Sequence, residues 1–283
     1  MKKCQLSFNL YQKPLTHIVC YSGGFSSALV AIEVVRKFGK ERVVLCNHDI
    51  SSWTEDADIK RFKKEVATYL QLPITYVNIN GIKGSDGIPD QFDLAVAEGG
   101  FKFGVTSYTC SRRLKTEPFH HWLRSNYSQG ECVLYYGFSC SESERIDRRA
   151  SILAEMGYEV AFPLVDWERT IYDTREIGIE PPRTYETMRH ANCMGCLRAG
   201  RQHFYVTYVK RPDIWEKAKW AEKKLYPYTI IKGVRLVNIE RLFQAMREAG
   251  IPATEHIPSQ TFWAKVRHTL GDTYQQLHSL QNI

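Results

Sequence analysis

The run Ser22-Gly23-Gly24-Phe25-Ser26-Ser27 joins an apolar, strand-like segment at 15–21 to a helix-like one at 28–38. A junction of this kind constrains the fold strongly. Glycines without a Cβ let the chain turn sharply and bring backbone N–H groups close to an anion. The free N–H groups and positive dipole end of the following helix face the same point. Ser22, Ser26 and Ser27 add hydroxyl donors. Taken alone, the same residues describe an ordinary serine-capped turn, so the rest of the chain has to decide.

Apolar β-branched runs alternate with amphipathic helical stretches, the pattern of a parallel sheet covered on both faces. Strands are expected at 17–21, 42–46, 74–79, 132–137 and 159–162. A helix at 56–70 places Ile59, Phe62, Val66, Tyr69 and Leu70 on one side, with Lys60, Lys63, Lys64 and Glu65 mostly on the other. The expected fold is therefore α/β, a doubly wound, mostly parallel sheet with helices on both faces. Residues 81–89, rich in Gly and Asp, read as a mobile loop, and no internal repeat is evident. After about Gly200 the pattern turns helical and aromatic, with Trp215, Trp220, Phe243 and Trp263. The division expected is a domain at 1–200 with a C-terminal helical extension, 201–283, packed on it.

At 283 residues and 43% hydrophobic content the chain can bury a full core. No apolar stretch is long enough to span a bilayer, and the start Met1-Lys2-Lys3-Cys4 lacks the apolar run of a signal peptide. A cytoplasmic protein with no membrane partner is expected. In a reducing compartment the eight cysteines read as packed thiols or metal ligands. The 38 Lys and Arg residues against 31 acidic ones, a net charge of +7, favour anionic partners such as nucleotides or nucleic acid.

Ligands of open α/β sheets bind beyond the C-terminal ends of the strands, where the glycine loop falls. The second strand ends on the same edge at Asn47-His48-Asp49, and Asp49 is the favoured contact to a ribose or base. The cysteines make a second constellation. Cys193-Met194-Gly195-Cys196 sets two thiolates one tight turn apart, a spacing that lets both reach one metal centre. Cys110 is the third ligand expected, because it heads the basic segment Cys110-Ser111-Arg112-Arg113-Leu114-Lys115, whose cations favour thiolate. A fourth ligand is left to Cys140, His190 or a non-protein group, whereas Cys4, Cys20 and Cys46 fall in segments that read as strand or core. On the residues alone, structural zinc, a redox dithiol, packed thiols and an iron–sulfur cluster all stay open.

In order along the chain, the 22–27 loop, the 110–115 segment leading to Pro118, Gly137-Phe138 with Glu142-Ser143-Glu144-Arg145, Pro163-Leu164-Val165-Asp166-Trp167, Tyr185, and Cys193-Met194-Gly195-Cys196 resemble the motifs of the phosphoadenosine phosphosulfate reductase family. That family belongs to the adenine nucleotide α-hydrolase superfamily with its pyrophosphatase loop, and the resemblance runs from about Leu15 to Gly200. It implies that Ser22, Gly23, Gly24, Phe25, Ser26 and Ser27 hold the phosphates of ATP or another adenine nucleotide, with Asp49 near its ribose or base. It implies that Lys115, Arg113 and Arg145 act in catalysis, and that Arg112 and Arg148 help them neutralise phosphate or sulfate. Cys110, Cys193 and Cys196 match cluster cysteines of the iron–sulfur branch, which implies a 4Fe-4S cluster held by three cysteines and raises iron–sulfur above zinc.

Two departures shape the functional expectation. The family loop has an aspartate where this chain has Ser26, which puts the expected Mg2+ contact in question. The cluster-bearing reductases carry a tandem cysteine pair near Cys110 and a nucleophilic cysteine further on, whereas here Ser111 follows Cys110 and no cysteine follows Cys196. In this respect the chain is more similar to the iron–sulfur sulfurtransferases of DNA phosphorothioation systems, although those are usually longer. The resemblance thus implies ATP-dependent sulfur transfer, in which an acceptor is activated as its adenylate. The partners implied are a nucleic-acid substrate, an external sulfur donor or thiol reductant, and a second copy in a homodimer. The alternatives are a reductase of adenylyl sulfate or its 3′-phosphorylated form, and a nucleotide-binding regulator without catalysis.

Overall fold

A computed structural model describes residues 14–81, 87–103, 107–191 and 193–279. Five parallel strands, β1 (Thr16–Cys20), β2 (Val43–His48), β3 (Ile74–Val77), β6 (Cys132–Tyr135) and β7 (Glu159–Ala161), form one sheet in the order β3-β2-β1-β6-β7. A short antiparallel pair, β4 (Lys102–Phe103) with β5 (Ser107–Tyr108), stands apart from it. Cys4 and residues 82–86 of the expected loop lie outside the described residues.

Alternation along the strands dictates the two faces. Val19, Tyr21, Leu45, Val133 and Tyr135 face α1 (Phe25–Phe38) and α2 (Ala57–Leu70) in one buried cluster. Ile18, Cys20, Cys46, Leu134 and Tyr136 face α4 (Glu117–Asn126) and α5 (Ser143–Glu155) in another. The doubly wound α/β expectation is thereby met, and β1 is the switch point, with the chain winding toward β2 on one side and β6 on the other.

The third buried cluster belongs to the C-terminal helices α7 (Arg201–Lys210), α8 (Pro212–Lys224), α9 (Leu236–Glu248) and α10 (Ser259–Leu270). Trp215 and Phe243 pack there with ring centroids 5.4 Å apart. This core does not stop at residue 201. It includes Phe92 and Ala95 of α3 (Gln91–Ala97), and Met188, Met194 and Leu197 around the paired cysteines. The short α6 (Pro163–Asp166) and the terminal α11 (Asp272–Ser279) complete the helices of the described residues.

Two expectations need correction. Helix α1 starts at Phe25 rather than Ala28, so Phe25, Ser26 and Ser27 form its first turn. Lys63 is not on the solvent side of α2: it is 2% exposed, because positions 59, 62, 63 and 66 share the inward face.

Candidate functional site

The 22–27 loop lies at the C-terminal end of β1, and local hydrogen bonds fix its shape. Ser27 Oγ donates to the Gly24 carbonyl at 2.8 Å, Ser22 Oγ donates to Ser27 Oγ at 3.1 Å, and Gly24 N–H reaches Ser22 Oγ at 3.4 Å. Ser27 is buried and its hydroxyl proton is used inside the loop, as is that of Ser22; Ser22 and Ser26 are exposed. Gly23 has φ +82°, and a Cβ there would meet the Lys63 side chain at 3.0 Å.

Gly137, just beyond β6, lies against the start of α1. A Cβ on it would fall 2.8 Å from the Ser26 carbonyl carbon and 2.9 Å from Ser27 N. The missing side chain lets the chain after β6 pack directly against the first turn of a helix, whose backbone N–H groups are of the kind that suit an anion. Phe25 N–H is not free for this purpose. It donates at 3.0 Å to the hydroxyl of Tyr185, which also accepts the Ala191 N–H. Tyr185 thus joins the loop to the segment that runs into Cys193.

Beneath the loop, Lys63 Nζ pairs with Glu55 at 2.8 Å, the two side chains 3% and 9% exposed, and lies 3.4 Å from Asn47 Oδ1. Asn47 Nδ2 in turn donates to the Tyr21 carbonyl at 2.6 Å. Asp49 is buried at the end of β2, where it accepts from Asn78 Nδ2 at 3.3 Å.

The three cysteines come from two segments distant in sequence but share one electrostatic neighbourhood. Burial pushes the Cys110 thiol up to about 11, with the Cys193 and Cys196 sulfurs adding to the effect. Burial and Cys193 raise Cys196 as well, against the pull of the Arg198 N–H and the Lys115 and Arg198 charges. Lys115 is half-buried among these sulfurs. Its ammonium is held above the ordinary lysine range chiefly by Cys193, then by Cys196, Cys110 and Glu55, while burial opposes them. Burial thus favours the neutral thiol at Cys110 and Cys196, and a metal or cluster would bind these sulfurs with loss of their protons; in this sense the donor set fits such a group. Among the described residues no three His, Cys, Asp or Glu side chains are grouped tightly enough to grip a single ion.

The paired-cysteine turn is braced from outside. Met194 N–H donates to the Thr54 carbonyl at 3.0 Å, and Gln91 Nε2 donates to the Met194 and Gly195 carbonyls at 2.7 and 3.3 Å. Gly195 has φ +67°, and a Cβ there would collide with Ile214 at 2.8 Å and Phe92 at 2.9 Å. Cys196 N–H donates to His203 Nε2 at 3.1 Å. That bond assigns the proton to His203 Nδ1, 2.8 Å from Glu255 Oε1, whose other oxygen accepts the Arg189 N–H. Comparison with family models and with curated proteins finds no match. The reading of this site therefore rests on its own residues.

The structure keeps the remaining candidates at the rim. Arg113 is exposed and bridges Glu98 and Glu117 at 2.9 and 3.0 Å. Arg112 pairs with Glu117 at 2.6 Å. Arg145 pairs with Glu142 and stacks 4.4 Å over the Phe138 ring, while Arg148, Cys140 and His190 are exposed. Cys20, Cys46 and Cys132 are buried in the sheet core, as their strand positions implied for the first two. Lys63, Gln91, His203 and Glu255 were not anticipated. The helical period of α2 held the signal for Lys63; no local pattern marks the other three.

Proposed function

We propose that the chain is a member of the phosphoadenosine phosphosulfate reductase family and an adenine-nucleotide-dependent sulfur-transfer enzyme. The observation that carries this reading is the path through Tyr185, which bonds the first turn of α1 with its hydroxyl and leads within eight residues to Cys193. A phosphate cradle and a three-thiol site joined in this way suit a reaction that activates an acceptor at one and delivers sulfur at the other.

The 22–27 loop would bind the nucleotide phosphates through Ser26 Oγ and the Ser26 and Ser27 N–H groups, with Ser22 Oγ turning from its bond to Ser27 to join them, at the first turn of α1 against which Gly137 packs. Lys63 would stay paired to Glu55 as a support for Gly23, while Lys115 would face the negative charge that develops between nucleotide and thiols. Cys110, Cys193 and Cys196 would hold an iron–sulfur cluster, which when bound supplies an iron with a position free for sulfur. The chain's own groups tune those sulfurs: the Arg198 N–H bonds Cys196, and the Ser111 hydroxyl bonds Cys110 from the place where the reductases have a second cysteine.

The decisive test is chemical. Anaerobically purified protein should contain iron and acid-labile sulfide, and with ATP, a sulfur donor and oligonucleotides should release AMP and label the nucleic acid with sulfur. Absence of turnover with any nucleic acid rejects that acceptor. Sulfite released from adenylyl sulfate in the presence of thioredoxin would move the assignment to a reductase.

A further inference from the structure

On the opposite face of the sheet from α1, the C-terminal ends of β1, β2 and β6 carry a group of polar side chains that sulfur transfer at the cysteines does not use. His48 ends β2, two residues beyond Cys46, which is in register with Cys20 of β1. Its ring meets Phe119 of α4 edge-on at 5.1 Å, and His120 is the next residue of that helix. From the other side Arg149 of α5 reaches in over the Tyr136 ring at 5.2 Å. Helices α4 and α5 thus cover this face of the sheet beside its switch point, the end at which α/β folds bind ligands.

Six buried side-chain polar atoms lack a hydrogen-bond partner among the described residues, and three of them gather here: His48 Nδ1, His120 Nε2 and the Tyr136 hydroxyl. Tyr136 has only the weak Cys20 thiol beside it. Orphaned buried polar groups are rare in folded proteins, so a cluster of them calls for an unseen partner. The sign of that partner follows from the surroundings. The groups whose charge acts on His48 are Lys115, Arg149 and His120, and those that act on His120 are Arg149 and Arg124, every one a basic side chain. With burial as the larger cause, they hold His48 down to about 3, so its ring is neutral and can donate one N–H.

We propose that this polar cluster is a second oxyanion subsite, in which Arg149, His48 and His120 grip a sulfate or phosphate group distinct from the one held by the 22–27 loop. As a statement about binding it stands without the sulfur-transfer reading. Under that reading, on which its role rests, the ligand is the anionic end of the acceptor, and acceptors that carry sulfate or phosphate are favoured over neutral ones.

The test is 15N-histidine NMR on the full chain, titrated separately with inorganic sulfate, inorganic phosphate and AMP. Sulfate or phosphate should shift the His48 and His120 resonances with saturation, and should do so equally with AMP already bound. Arg149→Gln should weaken that response roughly tenfold or more, as expected for loss of a charged hydrogen bond, while AMP affinity is unchanged. His120→Asn, on the partly exposed side of α4, serves if Arg149→Gln fails to fold. A histidine response to AMP alone, or one that survives both substitutions, would overturn the second subsite. Loss of AMP binding with an intact sulfate response would instead count against the nucleotide loop and leave the subsite standing.

Discussion

The glycine loop at 22–27, the proposed cradle, and the cysteine site lie side by side, yet the chain builds them in opposite ways. The cradle is nearly contiguous: six residues supply the turn, its internal hydroxyl bonds and the first turn of α1, and a few side chains or backbone positions such as Lys63, Gly137 and Tyr185 reach it from afar. The cysteine site has no local frame. Cys110 precedes and Lys115 lies within a π-helical turn (Ser111–Thr116), the paired cysteines lie about eighty residues on, and the parts that hold them in place come from α3, α7 and the 254–256 segment. Backbone geometry encoded in one stretch makes the first robust. The second depends on the C-terminal helices, whose core runs under the paired cysteines.

The sharpest test of that contrast is to remove a thiol. Cys193→Ala and Cys110→Ala should each abolish the brown colour, the bound iron and sulfur transfer, while nucleotide affinity by calorimetry stays at the wild-type value. If nucleotide binding collapses together with the iron, the two regions are one cooperative unit and the contrast fails.

The converse substitution strikes the cradle. Gly137→Ala places a Cβ 2.8 Å from the backbone of Ser26, where no flexible side chain can give way. Nucleotide binding should be lost, and the repacking strain should cost about 1–3 kcal/mol of stability, readable as a lower melting temperature. Iron content should survive. Retained nucleotide affinity would mean that the anion does not lie over the first turn of α1.

A smaller effect is expected at the brace. His203 touches no reacting atom; it fixes the Cys196 N–H and is itself oriented by Glu255. His203→Ala should lower metal retention about 10- to 100-fold, the usual cost of an outer-shell partner, with little change in nucleotide affinity. His203→Gln, which can still offer an acceptor, should recover part of the retention. Equal losses in both variants would mark His203 as a packing residue only.

Legibility in the sequence follows the same division. The sheet, its helices and the loop could be read because each is written in short-range pattern: apolar runs such as 17–21, the 3.6-residue period of 57–70, and a glycine pair at a strand-to-helix junction. The cysteines could be nominated by type and spacing. Their neighbourhood could not, because Gln91, His203 and Glu255 bond backbone groups more than a hundred, seven and about sixty residues away, and a side chain that serves a distant backbone leaves no periodicity. Lys63 was misplaced for another reason. A lysine on an inward face reads as solvated until its partner Glu55 is seen. His48 and His120 gained meaning only from what they lack, which no sequence records.

The weakest lever tests how Tyr185 is held between the two regions. Asp58 on α2 accepts from the Arg61 guanidinium at 2.6 and 3.1 Å and from the Arg183 N–H at 2.6 Å, which ties the segment before Tyr185 to the helix beneath the loop. The Arg61 bond, with help from Arg183 and against the cost of burial, holds the Asp58 carboxyl below its ordinary range. A lowered folded value means that the ionised form is favoured in the fold. Its contribution is therefore fully present above the unfolded value of about 4 and is lost as the pH falls through the folded one. Asp58→Asn should cost roughly 1 kcal/mol at neutral pH, and its gap from wild type in urea melts should close as the pH drops below that range. A gap that stays constant with pH would assign the loss to packing. A closing gap accompanied by weaker nucleotide binding at neutral pH would show that the ion pair sets the height of Tyr185, and through it the opening of the cradle.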